Sequence, residues 1–167
     1  MPVDAKPEKI TIGPYSVSFD LGNVGAYSIS TTEQSEIDTL FGIPFTKYYA
    51  TIEGRETSEG ERIPNLKLTI NDFHEAMRAD MVGRAEHALG SSFPSCGEPT
   101  IVPRTIDNKP GVVCSQACVG FSAYTISYPL DYNAENNSMK SFVQISSEYP
   151  WEEGTSSLVK TIHVEKS

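Results

Sequence analysis

Several things are scarce in this 167-residue chain, and each scarcity closes off a class. Basic residues are few. Lys plus Arg number 13 against 22 Asp plus Glu, a net charge of −9. Such a charge repels nucleic acid and anionic membrane faces unless a local basic patch overrides it, and the sequence has no such patch. Long apolar runs are absent, and nothing approaches the roughly 20 apolar residues that cross a bilayer. Cysteine is limited to Cys96, Cys114 and Cys118, too few for a disulfide scaffold. The chain contains no Gly-x-Gly-x-x-Gly, no Walker lysine, no nucleophile elbow and no His-Glu-x-x-His, so no familiar catalytic or nucleotide motif is present.

What is present describes a folded domain. Hydrophobic residues make up 38% and charged residues 21%, a globular balance. The length suits one domain able to bury its own core. No linker divides it, so residues 1–8 read as a flexible N-terminal segment and 9–167 as a single unit. Met1-Pro2-Val3-Asp4-Ala5-Lys6-Pro7 has no apolar core of a secretory signal. A complete cytoplasmic protein and an ectodomain cut from its signal or anchor both remain open. The abundance of Ser and Thr over Lys and Arg, with the sequon Asn136 to Ser138, leans toward the ectodomain.

Hydrophobic periodicity supplies the elements. Tyr15, Val17, Phe19 and Leu21 alternate with Ser16, Ser18 and Asp20, which predicts a strand with one buried face. Gly22-Asn23 then predicts a turn into a second strand at Ala26 to Ser30, the two forming a hairpin. Thr31 or Thr32 fits the cap of a short helix through Leu40. Phe45 to Ile52, Ile63 to Ile70, Val112 onward, Val119 to Leu130 and Ser141 to Ser147 read as further strands. Glu53 to Pro64 and Asp131 to Ser138 read as polar connections, and Ser91 to Pro103 as a loop with at most one short strand.

Two helices complete the reading. The stronger is Phe73 to Leu89, where Asp72 and Glu75 fit a capping box and Phe73, Met77, Met81 and Ala85 form one stripe. The other is C-terminal, with Leu158, Val159 and Ile162 inward, and its stripe predicts that it docks near the first. Because long helices do not alternate with strands, the pattern predicts an α+β domain, a central antiparallel sheet covered by helices, rather than a doubly wound parallel one.

The candidate chemical groups are thin. His74 and His87 are about 20 Å apart along the predicted helix and cannot share a metal there. His163 reads as a structural or edge residue. Glu152 and Glu153 are adjacent and point apart. Asp131, Asn133 and Glu135 could bind calcium weakly but read as a polar turn, since a full oxygen-ligand loop is missing. No catalytic, cofactor or metal residue is assigned. Cys114 and Cys118 would lie about 13 Å apart on one continuous strand, too far to bond. A turn or bulge at Ser115-Gln116 would bring them within reach, so a disulfide between them stays open. Tyr48, Tyr49, Tyr128 and Tyr132 are the candidate contact surface, because tyrosine is enriched where proteins meet.

Three phrases resemble the PsbP-like superfamily. They are Ile12-Gly13-Pro14-Tyr15-Ser16-Val17-Ser18-Phe19-Asp20, Thr105-Ile106-Asp107-Asn108-Lys109-Pro110-Gly111, and Tyr149-Pro150-Trp151-Glu152-Glu153-Gly154-Thr155 continuing through Leu158 to Lys166. In that group, which includes photosystem extrinsic proteins and a Ran-binding transport factor, the chain most resembles small archaeal, methanogen-type members. The resemblance implies an antiparallel sheet sandwiched by helices. It also implies a non-catalytic binding or assembly module without a cofactor, its partner another protein or a cell-surface polymer. A metal-dependent hydrolase, or another enzyme with dispersed ligands, is the alternative.

Overall fold

The computed structural model describes residues 7–22, 27–37, 42–54, 65–84, 97–118, 121–147 and 152–166. Strands β1 (Glu8–Ile12) and β2 (Tyr15–Phe19) form a hairpin. Its two-residue turn is Gly13-Pro14, with Gly13 at φ 56°. A positive φ at the first turn position is what a tight hairpin asks of glycine. The partner of β2 is therefore β1, not the segment at Ala26 to Ser30 that the sequence pattern suggested. The C-terminal strand β11 (His163–Lys166) pairs with the other edge of β2, giving a small sheet ordered β1-β2-β11.

The large sheet is built from β3 (Tyr27–Ile37), β4 (Pro44–Gly54), β5 (Asn65–Arg78), β6 (Thr100–Ile106), β7 (Lys109–Cys118), β8 (Phe121–Pro129) and β10 (Ser138–Ser147). Their order is β3-β4-β5-β10-β8-β7-β6, and every pairing is antiparallel. The short β9 (Tyr132–Asn133) folds back on β10. The fold is a mixed α+β architecture, a large antiparallel sheet contacted by two helices.

Alternation along the strands sends two apolar sets to opposite faces of this sheet. Leu66, Leu68 and Ile70 of β5 join Ala50, Ile52, Ile126, Tyr128, Val143 and Ile145 in one core. That core is closed by the small sheet and by the C-terminal helix α2 (Glu152–Thr161) through Leu158, Val159 and Ile162. Phe73 and Met77 belong to the opposite face, with Phe45, Phe142, Met139 and Cys114. Helix α1, described over 81–84, covers part of that face with Met81. The two helices therefore sit on opposite sides, where the stripes had suggested that they dock near each other.

Several expectations are corrected here. Phe73 and Met77 lie on a strand, and a helix begins only at residue 81. The spacing 73, 77, 81 is a helical step of four but also an even step, so it suits one face of a strand equally well. Asp72 does take a backbone N–H, but that of His74, two residues on, at 3.0 Å. The helix cap is Asp80, whose Oδ1 accepts the Gly83 N–H at 3.0 Å. Residues 85–89 of the predicted helix lie outside the described residues. The predicted short helix after Thr31 is the second half of β3, paired with β4 from Thr31↔Ala50 to Ile37↔Pro44. Its β-branched Ile29, Thr31 and Thr32 favour a pleated backbone. The one short strand allowed for within Ser91 to Pro103 is present as edge strand β6, which starts at Thr100 and accommodates Pro103 because an edge has one unpaired side.

The possible Cys114–Cys118 disulfide is ruled out by the backbone. Strand β7 runs unbroken through both residues, in register with β8 from Val112↔Ser127 to Cys118↔Phe121. Four residues of strand separate their Cα atoms by about 13 Å, beyond any disulfide. Cys96 lies outside the described residues.

Candidate functional site

The most elaborate polar cluster forms where β5 loses register with β10. Met139 faces Met77, but two residues later Ser141 faces Asp72. Three extra residues are thereby looped out of β5 between Asp72 and Met77. His74, at φ 63°, turns the corner. Histidine is among the few side chains that tolerate this region, and such bulges re-aim side chains out of a sheet. The same bulge takes the strand from the interior, where Phe73 stacks on Phe142 with centroids 5.7 Å apart, to solvent, where His74 is exposed.

Beneath the bulge lies a cleft of about 550 Å³ between the large sheet and the small one. Tyr15 of β2 reaches across it and donates to Asp72 Oδ2 at 3.4 Å. Asp72 Oδ1 accepts the His74 N–H at 3.0 Å, and the His74 Nδ1 lies 3.6 Å from the same oxygen. On its far side the ring contacts Thr46 Oγ1 at 3.1 Å through Nε2. Lys140 and Ser141 of β10, Asp131, and Glu165 and Lys166 of β11 complete the walls. Burial pushes the Tyr15 phenol up to about 12, and the neighbouring Asp72 carboxylate adds to the rise. At neutral pH this hydroxyl is a fixed hydrogen-bond donor.

Two other groups singled out in the sequence, His163 and the turn Asp131 to Glu135, take different places. His163 is on edge strand β11, its Nδ1 2.8 Å from Asp107 Oδ1. Asn133 Oδ1 accepts the Glu135 N–H at 3.0 Å, closing a turn, while Asp131 faces the cleft. Among the described residues no three His, Cys, Asp or Glu side chains gather closely enough to hold a metal ion. His87 lies outside the described residues.

The four tyrosines do not form one patch. Tyr128 is wholly buried in the core, which removes it from any contact surface. Tyr48 packs edge-on against Tyr15 at 5.9 Å and lies over Gly13. Tyr49 projects from the other face of β4, beneath the Lys67 ammonium at 4.6 Å. Tyr132 donates to Asn137 at 3.2 Å, in the hairpin before β10. Alternation on β4 separates the first two, and the core claims the third.

The cleft was not legible as a site because its members come from β2, β5, β10 and β11, far apart in sequence. Asp72 and His74 were visible only as supposed helix residues. One signal pointed to the bulge. The apolar positions of β5 pass from even numbers, Leu66 to Ile70, to the odd-numbered Phe73 and Met77, which means a sheet buried on both faces and then disturbed.

Set against protein-family models, curated proteins and solved structures, the chain matches none of them.

Proposed function

We propose that this chain is a non-catalytic binding or assembly module of the PsbP-like kind. It works outside the cytoplasm and meets another protein at the cleft beneath the β5 bulge. The observation that carries this reading is the mixture of charge on the cleft walls. Asp72, Asp131 and Glu165 face the same space as Lys140 and Lys166, all held on paired strands or their turns. Complementary mixed-sign surfaces give register and partner choice rather than chemistry. The Tyr15 hydroxyl, hydrogen-bonded to Asp72 on the same wall, adds a polar group to that surface. The α+β architecture and the three PsbP-like phrases support the kinship. No helix among the described residues is long and apolar enough to cross a membrane.

The test is charge reversal. Immobilised wild-type protein retains a specific protein from an envelope fraction of the source cell, and the Lys140→Glu/Lys166→Glu variant loses it while keeping its circular dichroism. Retention unchanged by the reversal rejects the cleft as the contact. Retention of a polysaccharide in place of a protein, lost in the same variant, transfers the reading to a surface polymer.

A second reading rests on one arrangement. Thr46 Oγ1, the His74 ring and the Asp72 carboxylate line up as hydroxyl, imidazole and acid, the order of a hydrolytic relay. The 3.6 Å gap between His74 Nδ1 and Asp72 exceeds hydrogen-bond length, so the relay is not closed. Hydrolysis of p-nitrophenyl acetate that falls equally in Thr46→Ala and His74→Ala favours this reading. Equal rates in all three proteins dismiss it.

A further inference from the structure

A second concavity, sharing no residue with the cleft, opens between α2 and the far end of the large sheet. Its volume is about 310 Å³. Val113 and Ile126 are cross-strand partners on β7 and β8, so their side chains form one continuous floor. Val159 of α2 closes it from above, and Tyr124 and Ser156 stand at the sides. The apolar face extends toward the sheet edge through Val102 of β6, which pairs with Val113 and is half exposed.

Two polar groups interrupt this apolar lining. Thr155 sits on the buried stripe of α2, in line with Leu158, Val159 and Ile162. It is 4% exposed, and its Oγ1 has no hydrogen-bond partner. A buried hydroxyl left without a partner is costly, and such groups recur where a ligand or water completes the bond. Arg104 is the other group. It lies two residues from Val102 on β6 and hence on the same face. In a chain of net charge −9, no carboxylate among the described residues pairs with it. An apolar hollow with one cation and a few hydroxyls has the usual composition of a small-molecule site, and its volume lies at the small end of that range.

We propose that this pocket binds a small apolar monocarboxylate, a medium-chain fatty acid or an acid of similar size. The hydrocarbon lies on Val113, Ile126 and Val159. The carboxylate pairs with Arg104, whose planar fork of donors matches two carboxylate oxygens. The Thr155 hydroxyl gains the polar contact that the protein itself does not supply. The inference stands apart from the cleft. Loss of partner binding in the Lys140→Glu/Lys166→Glu variant leaves it untouched, and its own failure leaves the cleft reading intact.

Octanoate is the probe and octanol its uncharged control, both titrated calorimetrically into the full chain. Octanoate binds saturably with one site per chain, and octanol binds at least tenfold more weakly. Arg104→Gln, a change at an exposed position, lowers octanoate affinity about tenfold and leaves octanol unchanged. Ile126→Trp fills the hollow, and Val113→Phe does the same should Ile126→Trp fail to fold. Either abolishes binding of both probes. Absence of saturable octanoate binding overturns the proposal. So does equal affinity for octanol, an Arg104→Gln variant that binds octanoate like the wild type, or undiminished binding in the filled variant.

Discussion

His163 Nδ1 lies 2.8 Å from Asp107 Oδ1, and this contact ties the C-terminal strand to a turn in the large sheet. The second carboxylate oxygen of Asp107 accepts the Val164 N–H at 3.0 Å. Asp107 and Asn108, at φ 50° and 61°, form the two-residue turn between β6 and β7. Both residues tolerate that geometry, and a pair of positive φ values matches the twist of a hairpin. The turn therefore presents a nearly buried carboxylate to the edge of the small sheet. Lys109 Nζ lies 3.6 Å from its Oδ2.

A pH dependence follows. The hydrogen bond to Asp107 and its negative charge raise the His163 pKa above the ordinary 6.5. A histidine raised on folding stabilises the protein fully below its unfolded value, and the contribution is lost as pH rises through the folded value. The melting temperature of the wild type should therefore fall relative to His163→Gln as pH increases from about 6 through the raised pKa, and the two curves should run parallel above it. Nuclear magnetic resonance titration of the His163 ring should give a pKa above 6.5 that returns toward it in Asp107→Asn. A ring that titrates at or below 6.5 in the wild type contradicts the contact.

Gly13 and Gly42 make a matched pair. Both have positive φ, 56° and 68°. A Cβ on Gly13 would meet the Tyr48 ring at 2.2 Å, whereas one on Gly42 would meet nothing within 4 Å. Gly42→Ala should cost about 1 kcal/mol from backbone strain alone. Gly13→Ala should cost about 1–3 kcal/mol more, since Tyr48 must move and with it the contact to Tyr15. Urea denaturation of the two variants checks the order, and equal costs would mean that Tyr48 does not pack over the turn.

Cys114 and Cys118 should not be joined. A non-reducing peptide map should show the fragment that carries both without the loss of two hydrogens that a bridge between them entails. Cys114 is wholly buried. An alkylating reagent should therefore reach it only on unfolding, and rapid labelling in native buffer would contradict the register of β7 with β8.

The strands were legible in the sequence where one face is buried and the other wet, as in Tyr15 to Phe19, because alternation then carries the signal. They were misread where both faces are buried or both exposed. On β5 the residues from Leu66 to Phe73 supply two cores at once, so the period of two is filled in and a step of four remains visible. On β3, Ser30 to Ser35 are exposed on both faces, and no apolar rhythm separates strand from helix. Asp72 shows the same limit for a site. An aspartate that takes a nearby backbone N–H looks alike at a helix start and at a bulge, and only the register with β10 distinguishes them.

The two-faced sheet carries the last prediction. Phe73 stacks between Phe45 and Phe142 on one face, with centroids 5.2 and 5.7 Å away. Leu158 of α2 is wholly buried on the other. Phe73→Ala should cost about 3–5 kcal/mol and Leu158→Ala about 2–5, a large part of the margin of a domain this size. His163→Ala, at an exposed edge, should cost about 1 kcal/mol or less. Gentler changes report on the geometry. Phe73→Leu and Leu158→Val, on opposite sides of a packed sheet with no shared partner, should combine additively to within about 0.5 kcal/mol. Had both residues belonged to helices docked side by side, as their stripes suggested, the double variant would deviate by more, because one cavity would relax into the other. Guanidinium denaturation of the two single variants and the double variant measures that deviation. A coupling above about 1 kcal/mol would place Phe73 and Leu158 in one core and contradict the division of the sheet into two faces.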